Sequence, residues 1–134
     1  MNYYRCEVSY RERKAHGIYQ WAHRILKAIS ALEKMYCQKS MKSERQEDAI
    51  CMAECSQDYD WLEEVIYQLE KLTVPPIDLC KQGYCAFTEA GYQKYIEHIE
   101  DYRWIAGKYG YKVEIKDIKP EKILYQDEMQ IVFQ

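Results

Sequence analysis

Tyr3-Tyr4-Arg5-Cys6-Glu7-Val8-Ser9-Tyr10 alternates between two kinds of side chain. Tyr4, Cys6, Val8 and Tyr10 fall on one side of a two-residue period and Arg5, Glu7 and Ser9 on the other, the pattern of a strand with one buried and one wet face. From about Arg13 the period changes. Ile18, Ala22, Ile25, Ile29, Leu32 and Tyr36 recur at alternate fours and threes, which places them in one stripe along a helix.

Residues 11–38 therefore read as the first helix. Ser43-Glu44-Arg45-Gln46 has the form of a capping box, in which the serine oxygen takes a free amide and the glutamine returns to the cap amide, so a second helix starts there. Its stripe is Met52, Cys55, Tyr59, Leu62, Ile66 and Leu69, and it stops at Thr73-Val74-Pro75-Pro76, where prolines cannot continue the ladder. Two helices joined by a short polar link form an antiparallel hairpin packed in coiled-coil fashion. Residues 74–87 read as a surface connection.

Thr88 then caps a third helix, with Glu89 in its first turn, burying Tyr92, Tyr95, Ile96, Ile99, Tyr102, Ala106 and Tyr109. Gly110 is a left-handed stop. Tyr111, Val113 and Ile115 alternate, and after a Lys119-Pro120 turn two further strands, 123–125 and 129–133, flank a reversal at Asp127-Glu128. The order β-α-α-α-β-β-β predicts a single α+β domain over residues 1–134. Its antiparallel sheet has about four strands, Tyr3–Tyr10 closing on the C-terminal ones, with helices on one face.

With 134 residues, the chain suffices for one modest core without a disulfide or metal staple. No apolar run approaches the roughly 18 residues that a membrane span needs, so no membrane contact is expected. The first residues hold neither a basic nor an apolar targeting segment, which suggests a cytosolic protein whose six cysteines are mostly packing groups. Net charge is −3, but residues 1–45 carry ten Lys/Arg against four Asp/Glu while residues 46–134 carry nine against eighteen. Either the two halves attract each other within the fold or one face meets an anion.

Catalytic signatures are missing. Phosphate-loop and dinucleotide glycine patterns are absent, and His16, His23 and His98 have no companion nucleophile signature. Cys51, Cys55, Cys80 and Cys85 lack the spacing of a zinc ribbon, so neither metal nor cofactor is expected. What remains is a basic face on the first helix, where Arg13, His16, Gln20, His23, Arg24, Lys27 and Lys34 lie opposite the apolar stripe. With Tyr19 and Trp21 beside it, Arg13, His16, His23, Arg24 and Lys27 are candidates for an anionic, planar ligand, charge for phosphate and a ring for stacking; the alternative is that Trp21, at the edge of the stripe, seals the core and the charges face water. Trp61, Trp104 and Ile105 fall off the helical stripes; they either pack on the sheet or under the 74–87 connection, or are candidates for a subunit or partner contact, which is the preferred reading.

In overall style the chain is short, rich in tyrosine, lysine and glutamate, and poor in glycine and proline. In this it resembles small accessory proteins of phages and mobile elements. That resemblance implies inhibition of a host defence system, either by sequestering a nucleotide signal or by masking a host protein. The leading expectation is a non-enzymatic binding protein, self-associating as a homo-oligomer, with an anionic small molecule as partner in preference to nucleic acid. The alternatives are a protein–protein inhibitor or adaptor using the tryptophans, and an enzyme of unfamiliar type around His23 or His98.

Overall fold

The computed structural model describes residues 2–13, 16–43, 46–71 and 75–134. The N-terminal alternation forms strand β1 (Tyr3–Tyr10). Cys6, Val8 and Tyr10 join the helix-facing core, and Tyr4 stacks on Tyr92 with ring centroids 4.4 Å apart. After β1 the chain reverses, with Arg11 in the left-handed region at φ 55° and the Arg13 amide donating to the Tyr10 carbonyl. The short β2 (His16–Gly17) pairs back on Glu7 and Val8. Helix α1 (Ile18–Ser43) therefore starts at Ile18, where the apolar period starts, and not near residue 11.

Helix α2 (Gln46–Leu69) completes the hairpin. The Ser43–Gln46 capping box and the Thr73-Val74 stop include residues outside those described. Burial ends at Ile29 in α1 and begins at Cys55 in α2, so the far turns of the hairpin lie beyond the core, with Met41 and Ile50 exposed. The 74–87 connection is more ordered than expected. It holds helix α3 (Ile77–Gln82) and strand β3 (Tyr84–Thr88). Cys85-Ala86-Phe87 is an apolar run covered on both faces, so it lacks the alternation by which a strand is recognised.

Helix α4 (Glu89–Lys108) is capped as expected, with the Thr88 hydroxyl accepting from the Gly91 amide and donating to the Glu128 carbonyl. Gly110, at φ 88°, turns the chain into β4 (Tyr111–Ile118), followed by β5 (Ile123–Gln126) and β6 (Gln130–Phe133). Between β5 and β6 the Asp127 carboxylate accepts from the Met129 and Gln130 amides and holds the reversal.

Among the described residues all strand pairs are antiparallel, and β2 and β3 bring the sheet to six strands where about four were expected. β4 pairs with β1 along its whole length, from Tyr3↔Ile118 to Tyr10↔Tyr111. The other edge of β1 is divided, Tyr3 and Tyr4 pairing with β3 while Glu7 and Val8 pair with β2. β3 continues to β6 and β6 to β5.

The core joins Trp21, Ile25 and Ile29 of α1, Leu62 and Leu69 of α2, Ile99 and Tyr102 of α4, and Val8, Phe87 and Val113 of the sheet. Because α4 touches both α2 and the sheet, its apolar face is broader than one stripe. Ile105 is consequently fully buried, which removes it from the expected partner surface. Phenols tie the layers together: Tyr102 donates to the Ile18 carbonyl at 2.7 Å and Tyr19 to the Leu69 carbonyl at 2.9 Å. The buried Asp58 carboxylate accepts from Lys108 Nζ at 2.7 Å and from the Tyr109 hydroxyl at 2.6 Å, fastening α2 to the end of α4.

Two glycines of α4 should respond with opposite signs. A Cβ at Gly91 would collide with the Met129 carbonyl, whereas one at Gly107 meets nothing. In urea denaturation, Gly91→Ala should cost about 1–3 kcal/mol despite its better helix propensity, because backbone must move. Gly107→Ala should add up to about 1 kcal/mol.

Candidate functional site

Arg5 and Cys6 lie between the two pairings that divide the β1 edge. A cleft of about 520 Å³ opens there. One wall is Gly17 and the first turn of α1, Ile18, Tyr19 and Gln20; the other is Ile77, Cys80 and Lys81 of α3 with Tyr84 and Cys85 of β3; Gly83, Ala86, Phe87 and Gln130 also line it. Between α3 and β3, Gly83 runs so close to β6 that a Cβ would strike the Phe133 carbonyl. Glycine is required there by contact, its backbone being extended.

Arg5 was expected on a wet face, yet it is only 9% exposed, because β3 and the Tyr84 ring cover it. Its Nη1 donates to the Cys85 carbonyl at 2.9 Å, its Nε to Glu7 Oε1 at 3.2 Å, and its guanidinium carbon lies 4.8 Å from the Tyr84 ring centre. Glu7 in turn pairs with Lys116 Nζ at 2.8 Å. That hydrogen bond, reinforced by Arg5 against the opposing effect of burial, holds the Glu7 carboxyl below its ordinary range.

Lys81 adds a second cation, and among the described residues that line the cleft none is acidic. The first turn of α1 holds no carboxylate either, so no acidic side chain within that turn offsets the positive end of the helix dipole. Burial pushes the Cys6 thiol up to about 12, and burial together with neighbouring Cys80 pushes Cys85 up to about 11. Both are thiols at neutral pH.

Of the residues that sequence reasoning proposed for a ligand, Tyr19 lines this cleft. Trp21 does not offer a free stacking face: it is 2% exposed, packs edge-on against Tyr111 at 5.6 Å, and carries the Arg24 guanidinium over its ring at 5.0 Å. Arg13, His23, Arg24 and Lys27 are exposed. Tyr111 stacks on Tyr10 at 4.5 Å, and Arg11 covers the Tyr10 ring. The side chain of His16 lies outside the described part of the structure; its backbone pairs with Val8. The basic face thus exists, but its rings pack on one another.

Sequence reasoning missed Arg5, Lys81 and Tyr84. The only available signal was Arg5 itself, a cation within a strand.

Trp61 and Trp104 lie side by side on α2 and α4, centroids 5.5 Å apart, with Glu100, Asp101 and Arg103 around a second, shallower hollow. Trp104 is 58% exposed. His98 lies near Tyr95, ring centroids 6.3 Å apart. Among the described residues no group of three or more His, Cys, Asp or Glu could hold a metal, and no helix is long and apolar enough to cross a membrane. No family model matches the chain, and neither the curated proteins nor the solved structures contain a match.

The lowered Glu7 pKa has a measurable sign. Stability from ionised Glu7 is present above its ordinary value of 4.5 and is lost as pH falls through the lower folded value. In denaturation series across the acid range, Glu7→Gln should flatten this part of the decline. At neutral pH it should cost up to about 1 kcal/mol, since the Lys116 end of the pair is half exposed and screened by solvent.

Proposed function

We propose that the protein is a non-enzymatic binding protein whose cleft holds a small anionic ligand with a planar ring, nucleotide-like in its chemistry. The supporting observation is a buried guanidinium at a cleft whose described lining residues include two cations and no carboxylate, in a chain of net charge −3. Arg5 spends Nε and Nη1 on the protein, and Nη2 has no partner among the described residues, leaving donors for an anionic oxygen. Tyr84, 59% exposed, offers a ring beside it. Among the described residues that line the cleft there is no histidine or carboxylate, and burial keeps Cys6 and Cys85 protonated, which favours holding a ligand over turning it over. Taken with the resemblance to phage accessory proteins, such a site suits sequestration of a nucleotide signal of host defence.

Thermal-shift titration with mononucleotides and cyclic nucleotides tests this reading. Lys81→Ala, an exposed position, should weaken binding by about tenfold or more and leave the ligand-free melting temperature nearly unchanged, since exposed charges contribute about 0–1 kcal/mol. Arg24→Ala with Lys27→Ala should leave binding in place. The opposite ranking would move the site to the outer face of α1, and no shift with any nucleotide would end the proposal.

The exposed Trp61–Trp104 pair favours a second reading, a protein contact. Over its 24 residues α2 holds seven Asp/Glu and no Lys or Arg, whereas α1 carries Arg24, Lys27, Lys34, Lys39 and Lys42 against Glu33. That complementarity nominates the α1 face of a second copy as occupant. Light scattering should then show an assembly larger than the 16.2 kDa monomer, and Trp104→Ala should dissociate it with little change in melting temperature. A monomer in the unaltered protein would overturn this reading.

A further inference from the structure

The cleft wall contains two thiols in contact. Cys85 Sγ lies 4.0 Å from Cys80 Sγ, the former on β3 and the latter on α3, both partly exposed and both lining the cleft. The other described cysteines have different surroundings: Cys6 and Cys55 are buried in the core, Cys51 faces Tyr36, and Cys37 is half-buried on α1. α3 itself has no buried residue. Besides its own backbone turn, the hydrogen bonds that fasten it are weak: Cys80 Sγ to the Pro75 carbonyl at 3.8 Å, and Gln134 Nε2 to the Gln82 carbonyl at 3.3 Å.

We propose that Cys80 and Cys85 are a redox-responsive pair whose disulfide fastens α3 to β3 at the mouth of the cleft. A disulfide needs its sulfurs about 2.05 Å apart, and closing the remaining distance calls for side-chain rotation and a small shift of a lightly held helix. The oxidant is a low-molecular-weight disulfide. The Cys80 thiolate attacks one of its sulfurs, a mixed disulfide forms at Cys80 and the first small thiolate leaves. Cys85 Sγ then attacks the Cys80 sulfur, its proton passing to the second departing thiolate. Two protein thiols are oxidised to one disulfide, and the small disulfide is reduced to two thiols. Cys85 acts second because burial and Cys80 keep its proton on.

The bond joins an element with no buried residue to a strand paired on both edges. Oxidation therefore suppresses local opening of α3 and slows exchange of any cleft ligand. The effect on ligand rests on the reading above, whereas the disulfide and the fastening of α3 do not.

The test uses the full chain treated with oxidised glutathione and then followed by peptide mass mapping and amide hydrogen exchange. The expected result is a Cys80–Cys85 cross-linked peptide without retained glutathione, its loss in both Cys80→Ser and Cys85→Ser, and exchange at α3 amides slowed by about tenfold or more while the core of α4 is unchanged. A glutathione adduct that persists on Cys80, a cross-link elsewhere, no reaction, or unchanged α3 exchange in the cross-linked protein would each overturn the proposal. Nucleotide titration of the reduced chain, run in parallel, reports on the cleft reading separately.

Discussion

Everything in this molecule hangs on how β1 satisfies its two edges. A strand in mid-sheet must pair its backbone groups or leave polar atoms unsatisfied away from water. β4 meets the demand along one full edge of β1. On the other edge β2 and β3 divide the work, and between their pairings the Arg5 guanidinium takes the Cys85 carbonyl. One side chain thus bridges a break in the ladder and supplies the charge of the cleft that the break creates. Glu7 and Lys116, diagonal neighbours across β1 and β4, orient that charge.

The fourteen tyrosines serve this architecture as apolar bodies with polar ends. Tyr102 and Tyr109 place their rings against the core and their hydroxyls on acceptors in other elements, and the more exposed Tyr19 reaches from α1 to the Leu69 carbonyl, so each phenol locks one element to another. Tyr10 and Tyr111 stack across β1 and β4 and close over Trp21. Tyr84 is different. It lies over Arg5 and stays largely exposed, which is why it belongs to the cleft and not to the core.

Charge follows the same division between local pattern and assembled surface. The excess of cations in residues 1–45 becomes a basic α1, and the excess of carboxylates beyond it is concentrated in α2. Asp58 is the exception among those carboxylates, buried and paired with Lys108 and Tyr109. The cleft draws its two cations from elsewhere, one from β1 and one from α3.

Sequence alone determined the α+β class, the helical hairpin, the Thr88 cap, the Gly110 stop and the turn at Asp127, because each depends on side-chain period or on chemistry within a few residues. It also pointed to Tyr19. Tertiary structure alone decided that Arg5 is buried, that Cys80 meets Cys85, that Trp21 is core and that Ile105 is not surface. Arg5 and its acceptor at Cys85 are 80 positions apart, and β3, which brings them together, has no alternation to announce it. Ile105 is buried because α4 lies against two layers at once, so the width of its apolar face is set by its neighbours and not by its own period.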